Sequence, residues 1–232
     1  MRKGEIKKQE ILETAERLFC KDGYETTSVQ DILDVLHTSK GSFYHHYASK
    51  EMLLEAICSR RAEELSRLVS SRLSLKASAV ENLNVLFSGF IPLGGEKLTF
   101  LLMILPVFNM PEGRQVRYGY CESLLEAFLP DVTGQLISGT MNGELYCPDA
   151  EHSARIALMI LNNLWCRICS VIISDLNNGH DTDLAELLRM TDSCRVSVEK
   201  VLSAPFGSFV LLNMNDLKLL YGQIGQHWNK KA

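Results

Sequence analysis

Residues 26–50, which read TTSVQDILDVLHTSKGSFYHHYASK, decide the fold of the amino-terminal part of the chain. This stretch predicts two short helices joined by a tight turn. Either Thr27 or Ser28 can cap the first helix, because a side-chain oxygen there accepts a hydrogen bond from an unpaired backbone N–H. Asp31 follows in the first turn, where a carboxylate is favoured by the helix dipole.

The second helix of this stretch has a composition suited to binding DNA. Ser39 is its expected cap, and Lys40, Gly41 and Ser42 form its first turn. Small residues allow another backbone to approach closely, and free N-terminal amides with Lys and Ser can hold phosphates. Together the two helices predict a helix-turn-helix whose second helix enters a DNA major groove.

Many spaced positions of this stretch resemble the DNA-binding domain of the TetR/AcrR family of transcriptional repressors. The matching residues are Thr26, Thr27, Asp31, Ile32, Ser39 to Tyr44, Tyr47 and Ser49 to Leu53. The resemblance covers about the first quarter of the chain. It implies a dimeric repressor with an inducer site among the middle helices of a second, larger domain. The chain departs from the family at Val35-Leu36-His37, where Ala-Gly is usual, so the angle between the two helices is expected to differ slightly.

Individual residues of the second helix also allow other interpretations. Phe43 and Tyr47 are expected mainly to pack, because helical spacing places them on one face. Tyr44 either packs or holds a phosphate, and we favour the phosphate. His45 and His46 diverge by about 100° on a helix and rarely share one metal ion, so we interpret them as DNA contacts. With the resemblance, the predicted DNA-binding residues are Thr27, Ser39, Lys40, Gly41, Ser42, Tyr44, His45, His46 and Lys50.

The charge is unevenly distributed along a chain of ordinary globular composition. The 232 residues are 46% hydrophobic and 22% charged, with a net charge of −4. The first fifty residues carry eight Lys or Arg and eight Asp or Glu (8 − 8 = 0), so the remainder holds the whole −4. This balance argues against a wholly basic nucleic-acid binder. The basic terminus, with Arg2, Lys3, Lys7 and Lys8, either lies along phosphates or is a disordered, solvated tail.

The cysteines and the apolar runs indicate a cytoplasmic protein without a metal or cofactor. Seven cysteines are an odd number, and no signal peptide precedes them. Cys166 and Cys169 form a CxxC pair in an apolar helical run. Because a second pair of ligands and a preceding strand are missing, we interpret both as buried hydrophobes. No uncharged apolar run reaches the ~18–20 residues of a membrane span.

The rest of the chain predicts an all-α protein, since apolar residues recur at helical spacing and no alternation of period two is sustained. We predict a helix-turn-helix domain at residues 1–48 and a helical ligand-binding and dimerisation domain at residues 49–232. A long helix from Ser49 links them and can transmit a shift from one to the other. Pro106 is expected to kink or end a helix, and Pro130 to end another.

Two features of the predicted domain at residues 49–232, the body of the protein, predict its functions. The apolar helix from Ala150 to about Asn177 and the next helix are expected to pair with the same helices of a second copy, the alternative being an internal core. Such a homodimer suits a palindromic operator. The segment from Leu83 to Tyr120, rich in Phe, Met and Leu, is expected to enclose a small lipophilic ligand, although plain core has the same composition. The predicted lining is Phe87, Phe90, Phe100, Met103, Phe108, Arg117, Tyr118, Asn162 and Trp165.

Residue patterns typical of catalysis are sparse in this chain. His152 and His180 lie far from any GxSxG, HExxH or phosphate-binding loop, and Cys147 has no neighbouring base. We therefore predict a ligand-responsive, dimeric transcriptional regulator. It is expected to repress transcription by binding a palindromic operator in double-stranded DNA, from which a small lipophilic ligand releases it. The alternatives are an activator without a small-molecule inducer and a helical protein-interaction module.

Overall fold

The computed structural model describes residues 3–91, 95–108, 110 and 113–228, and over these residues it is all-α, as predicted. The helices are α1 (Lys3–Asp22), α2 (Val29–Leu36), α3 (Lys40–His46), α4 (Lys50–Ser70), α5 (Ala79–Phe90), α6 (Gly95–Phe108), α7 (Gly113–Met141), α8 (Ala150–Asn178), α9 (Leu184–Val201) and α10 (Met214–Trp228).

The chain forms two compact units. Unit 1 comprises Met1–Ala62 and Gly94–Ser123, and unit 2 comprises Glu63–Leu93 and Leu124–Ala232. Unit 1 thus contains α1, α2, α3, α6 and the first parts of α4 and α7. The division at residues 48 and 49 stays a prediction for the functional domains.

Two serine caps fix the ends of the short helices in unit 1. Ser28 caps α2: its Oγ accepts from the Asp31 N–H at 3.2 Å, and the Asp31 carboxylate accepts from the Ser28 N–H at 2.7 Å. Ser39 caps α3, since its Oγ accepts from the Ser42 N–H at 3.3 Å. Both caps satisfy N–H groups that have no partner inside the helix. They set where each short helix begins.

The prediction that Pro130 ends a helix was wrong. Helix α7 continues through it from Gly113 to Met141. A proline inside a helix removes one hydrogen bond, here the bond to the carbonyl of Glu126. Both residues are exposed, so water can hydrate that carbonyl. Pro106, by contrast, lies in the last turn of α6, close to where a helix end was expected.

Unit 2 is built around α8. Trp165, Leu161 and Ile168 of this helix are buried, and α9 and α10 both pack on it. By length and composition α8 could cross a membrane, but 56% of its most apolar window is buried inside the protein, which is typical of a core helix. Because α10 also packs on α9, the chain itself covers part of the α8 and α9 surface.

Candidate nucleic-acid interface

Helix α3 is anchored by one side and exposed on the other. Phe43 is fully buried and Tyr47 is 5% exposed, with their ring centroids 6.2 Å apart, so both pack as predicted. The Tyr47 hydroxyl also lies 3.5 Å from the carbonyl of Lys8 in α1. Tyr44, between them, is 54% exposed. The exposed phenol is therefore available to a ligand of the helix, whereas its two aromatic neighbours hold the helix in place.

The first turn of α3 presents small and charged groups at the surface. Ser39, Lys40 and Gly41 are exposed, and Ser42 is half-buried. A Cβ atom at Gly41 would meet only the Ser39 Oγ, at 3.9 Å. The fold of the chain therefore has room for a larger residue at this position.

His45 and His46 end α3 with their ring centroids 4.9 Å apart. His45 is exposed and His46 is half-buried. Burial, the neighbouring His45 and the ammonium of Lys8 all lower the pKa of His46. Within the described part of the chain, no group of three side chains is arranged to hold a metal ion. The pair thus lies in the last turn of α3, and its role as a DNA contact stays a prediction.

The turn between α2 and α3 accommodates the bulky residues noted in the sequence. His37 ends α2 with a φ angle of 48°, in the left-handed region, and its N–H donates to the carbonyl of Asp34 at 3.3 Å. Glycine adopts this conformation most readily, but histidine is among the other residues that enter it more often than average. The turn is therefore closed by a local backbone conformation that costs some stability.

Thr27 and Lys50 differ from the other predicted DNA contacts, because their side chains donate hydrogen bonds to backbone carbonyls of the loop between α1 and α2. Thr27 is 3% exposed, and its Oγ1 donates to the Gly23 carbonyl at 2.8 Å. The Lys50 Nζ donates to the carbonyls of Tyr24 at 3.0 Å and Thr27 at 3.2 Å. The structure thus brings together Ser39, Lys40, Gly41, Ser42, Tyr44, His45 and His46 on α3 and its cap. Thr27 and Lys50 lie outside α3, and their side chains contact the α1–α2 loop.

In unit 1 the predicted ligand-lining residues form an aromatic cluster around a residue that was not predicted. The ring centroids of Phe100 and Phe108 lie 5.8 and 6.0 Å from that of Tyr120, which is buried. Tyr118 is instead 71% exposed. The available signal was helical spacing, since Tyr120 lies four residues after the buried Val116. Met103 is buried and Arg117 is half-buried.

In unit 2 the predicted lining residues belong to well-packed aromatic contacts. The Phe87 ring lies 5.1 Å from Phe209, and the Phe90 ring lies 5.2 Å from Phe128. The remaining two, Asn162 and Trp165, are 8% and 2% exposed on α8. These contacts are typical of core, and the role of the residues in a ligand site stays a prediction.

The amino-terminal segment matches a known family model. The model described as "Bacterial regulatory proteins, tetR family" matches residues 11–57, which run from within α1 to within α4. The segment includes all the residues discussed above as DNA contacts.

Individual relatives are similar to the same segment. An uncharacterized HTH-type transcriptional regulator of Bacillus subtilis, YerO, is 46% identical over 52 residues, which are 22% of this chain and 18% of that protein. The HTH-type transcriptional repressor AcnR of Corynebacterium diphtheriae is 34% identical over 65 residues, 28% of this chain and 34% of that protein. The chain thus matches only a minor part of the length of these two relatives.

The body is similar to a solved structure in fold alone. RolR in complex with resorcinol superposes with a TM-score of 0.59 over 94% of each chain, at 13% sequence identity. The agreement over almost the full length shows that the helical body follows the same fold as the body of that protein.

Proposed function

We propose that this chain, which belongs to the TetR family of transcriptional regulators, represses transcription by binding a palindromic operator through α3. The observation that carries the proposal is a seven-residue helix held by the buried Phe43, with Lys40, Gly41 and Tyr44 exposed beside it. Its family is one of regulators and not of enzymes. Lys40, Ser42 and Tyr44 supply donors for phosphates, while His45 reaches the groove.

A homodimer is part of this proposal, because a palindrome presents two half-sites related by a two-fold axis. Ile156 and Met159 on α8 are 48% and 57% exposed, one helical turn apart. We propose that this surface of α8, together with α9, packs against the same surface of a second copy. Sedimentation should then give a mass twice the 26.1 kDa of one chain, and a strictly monomeric protein would contradict the proposal.

A small lipophilic ligand that releases the operator is the second part of the proposal. It is supported by the bound resorcinol in RolR, whose fold this chain shares, and by the buried aromatic residues of each unit. To shift the protein away from DNA, the ligand must prefer the non-binding conformation, and a ~100-fold preference corresponds to about 2.7 kcal/mol. A thermal-shift screen of phenols and other apolar compounds tests this, because a ligand that binds only the folded protein raises its melting temperature.

DNA binding is tested by fluorescence anisotropy with duplexes from the region flanking the gene of the protein. The logarithm of the affinity should fall linearly with the logarithm of the salt concentration, since phosphate contacts release counterions. Lys40→Gln should reduce that slope by about 0.9, the value for one phosphate contact. Lys76→Gln, an exposed lysine in the loop before α5, is the matched control and should leave the slope unchanged. Failure of the unaltered protein to retain any duplex at low ionic strength would refute the proposed function.

Gly41→Ala should separate stability from binding. In the absence of DNA it should stabilise the protein by up to about 1 kcal/mol, because alanine is the better helix former and its Cβ has room. Operator affinity should fall about tenfold or more, since the methyl group stands where DNA approaches. Gly134→Ala in α7 is the control: a Cβ there meets nothing within 4 Å, so stability should rise without a change in binding. Unchanged operator affinity in Gly41→Ala would place Gly41 outside the interface.

A further inference from the structure

The loop between α1 and α2 is fixed to the first residue of α4. The Lys50 Nζ donates to the Tyr24 carbonyl at 3.0 Å and to the Thr27 carbonyl at 3.2 Å, and it lies 4.1 Å from the centroid of the Tyr24 ring. An ammonium group has three N–H donors, and two of them are used here on backbone carbonyls. Lys50 therefore holds the loop at two points three residues apart.

The Tyr24 and Thr27 carbonyls lie in the α1–α2 loop, where the Gly23 carbonyl also accepts hydrogen bonds from nearby side chains. The Thr27 Oγ1 donates to the Gly23 carbonyl at 2.8 Å, and the Thr26 Oγ1 lies 3.2 Å from the same carbonyl. A buried carbonyl that loses its donor costs free energy, so the contacts of Lys50 have a structural value of their own. The next residue along the chain is Ser28, which caps α2.

The aromatic ring beneath Lys50 is itself held from two sides. Tyr24 is 6% exposed, and its ring centroid lies 5.1 Å from that of Phe19 in α1. Its hydroxyl lies 3.4 Å from Oε1 of Glu51, the second residue of α4. The start of α4, the loop and α1 thus form one connected group in unit 1, in which the ammonium of Lys50 contacts two loop carbonyls and the Tyr24 ring.

We propose that Lys50 is a positioning residue of the DNA-binding site, which acts by fixing the α1–α2 loop and hence the start of α2, and does not neutralise a phosphate. This inference rests on the proposed DNA-binding function and refines it, since Lys50 was predicted as a phosphate contact. Helix α3 follows α2 after a tight turn, so the orientation of α2 is carried to the residues that touch DNA. Thr27, whose side chain is buried in the same loop, has the same role.

The test compares three variants of the full-length protein by thermal unfolding and by the salt dependence of operator binding. Lys50→Met keeps the aliphatic stem and removes both hydrogen bonds. Lys50→Gln removes the charge but retains an amide N–H₂ that can donate to the loop carbonyls. Lys40→Gln removes an exposed lysine of α3 and serves as the reference for a true phosphate contact.

We expect Lys50→Met to lower the melting temperature by about 4 °C or more and the operator affinity about tenfold, with an unchanged salt slope. Lys50→Gln should show a smaller fall in melting temperature and in operator affinity than Lys50→Met. Its salt slope should equal that of the unaltered protein. Lys40→Gln should keep the melting temperature, and the magnitude of its salt slope should fall by about 0.9. The Gln variant decides the question if Lys50→Met does not fold.

Two results would overturn the inference about Lys50. A slope reduced by about 0.9 in Lys50→Gln would show a phosphate contact and overturn the inference, as would an unchanged melting temperature in Lys50→Met. Either result would leave the proposed function intact. If the unaltered protein binds no duplex at low ionic strength, the proposed function fails and this inference fails with it.

Discussion

Glu16→Gln should lower the free energy of unfolding by about 3 kcal/mol. Glu16 in α1 is 5% exposed, and its carboxylate accepts hydrogen bonds from the guanidinium groups of Arg60 and Arg61 in α4. The two arginine side chains are only 17% and 30% exposed. A neutral amide would remove the buried negative charge that both partly buried guanidinium groups contact. Because both arginines retain some contact with water, we expect the lower end of the range measured for broken buried ion pairs.

A neighbouring glutamate provides the control for Glu16. Glu13, on the same helix, lies 4.0 Å from Arg60, but its side chain is 60% exposed. Glu13→Gln should change the free energy of unfolding by no more than about 0.5 kcal/mol, since exposed ion pairs contribute little. Urea unfolding followed by circular dichroism measures both variants. Equal losses in the two would mean that burial of the Glu16 carboxylate does not set the size of the effect.

The Glu16→Gln substitution should also affect α6. The Arg61 guanidinium lies 6.0 Å from the ring centroid of Phe100 in α6, so one cation contacts both a carboxylate of α1 and an aromatic residue of α6. Glu16 is therefore expected to hold three helices of unit 1 together, and its loss should weaken operator binding through misplacement of the helix-turn-helix.

Phe43→Ala should cost about 3–5 kcal/mol of stability and reduce operator affinity about 100-fold or more. Phe43 is the buried residue of α3, a helix of only seven residues. A helix this short is not stable by itself in water, so its position depends on packing. Without the phenyl ring, α3 loses the contact that holds its exposed face in a fixed orientation. The expected loss of binding is therefore larger than that for any single DNA contact.

Two further substitutions separate packing from recognition in α3. Phe43→Leu should cost only about 1 kcal/mol and keep most of the affinity, because it preserves an apolar side chain of similar volume. Tyr44→Ala should leave stability almost unchanged, since Tyr44 is 54% exposed, while operator binding weakens. If Phe43→Ala bound the operator as well as Tyr44→Ala does, packing of Phe43 would not be what orients α3.

The all-α fold, the helix-turn-helix and the family resemblance followed from the sequence because they depend on local patterns. A serine cap acts on N–H groups two or three residues away, so Ser39 could be assigned from the sequence, and the first cap could be narrowed to Thr27 or Ser28. Helical spacing likewise identified Phe43 and Tyr47 as packing residues.

Only the tertiary structure decided which partner each long side chain meets. Lys50 turns to carbonyls 23 and 26 residues away, and Glu16 meets arginines 44 and 45 residues away. No period or motif encodes such distances along the chain. Whether Pro130 ends a helix depends in the same way on whether its surroundings can satisfy a freed carbonyl. Local chemistry therefore determined where helices begin and which residues α3 contains, whereas contacts between distant segments determined which charged groups hold the fold and which stay exposed.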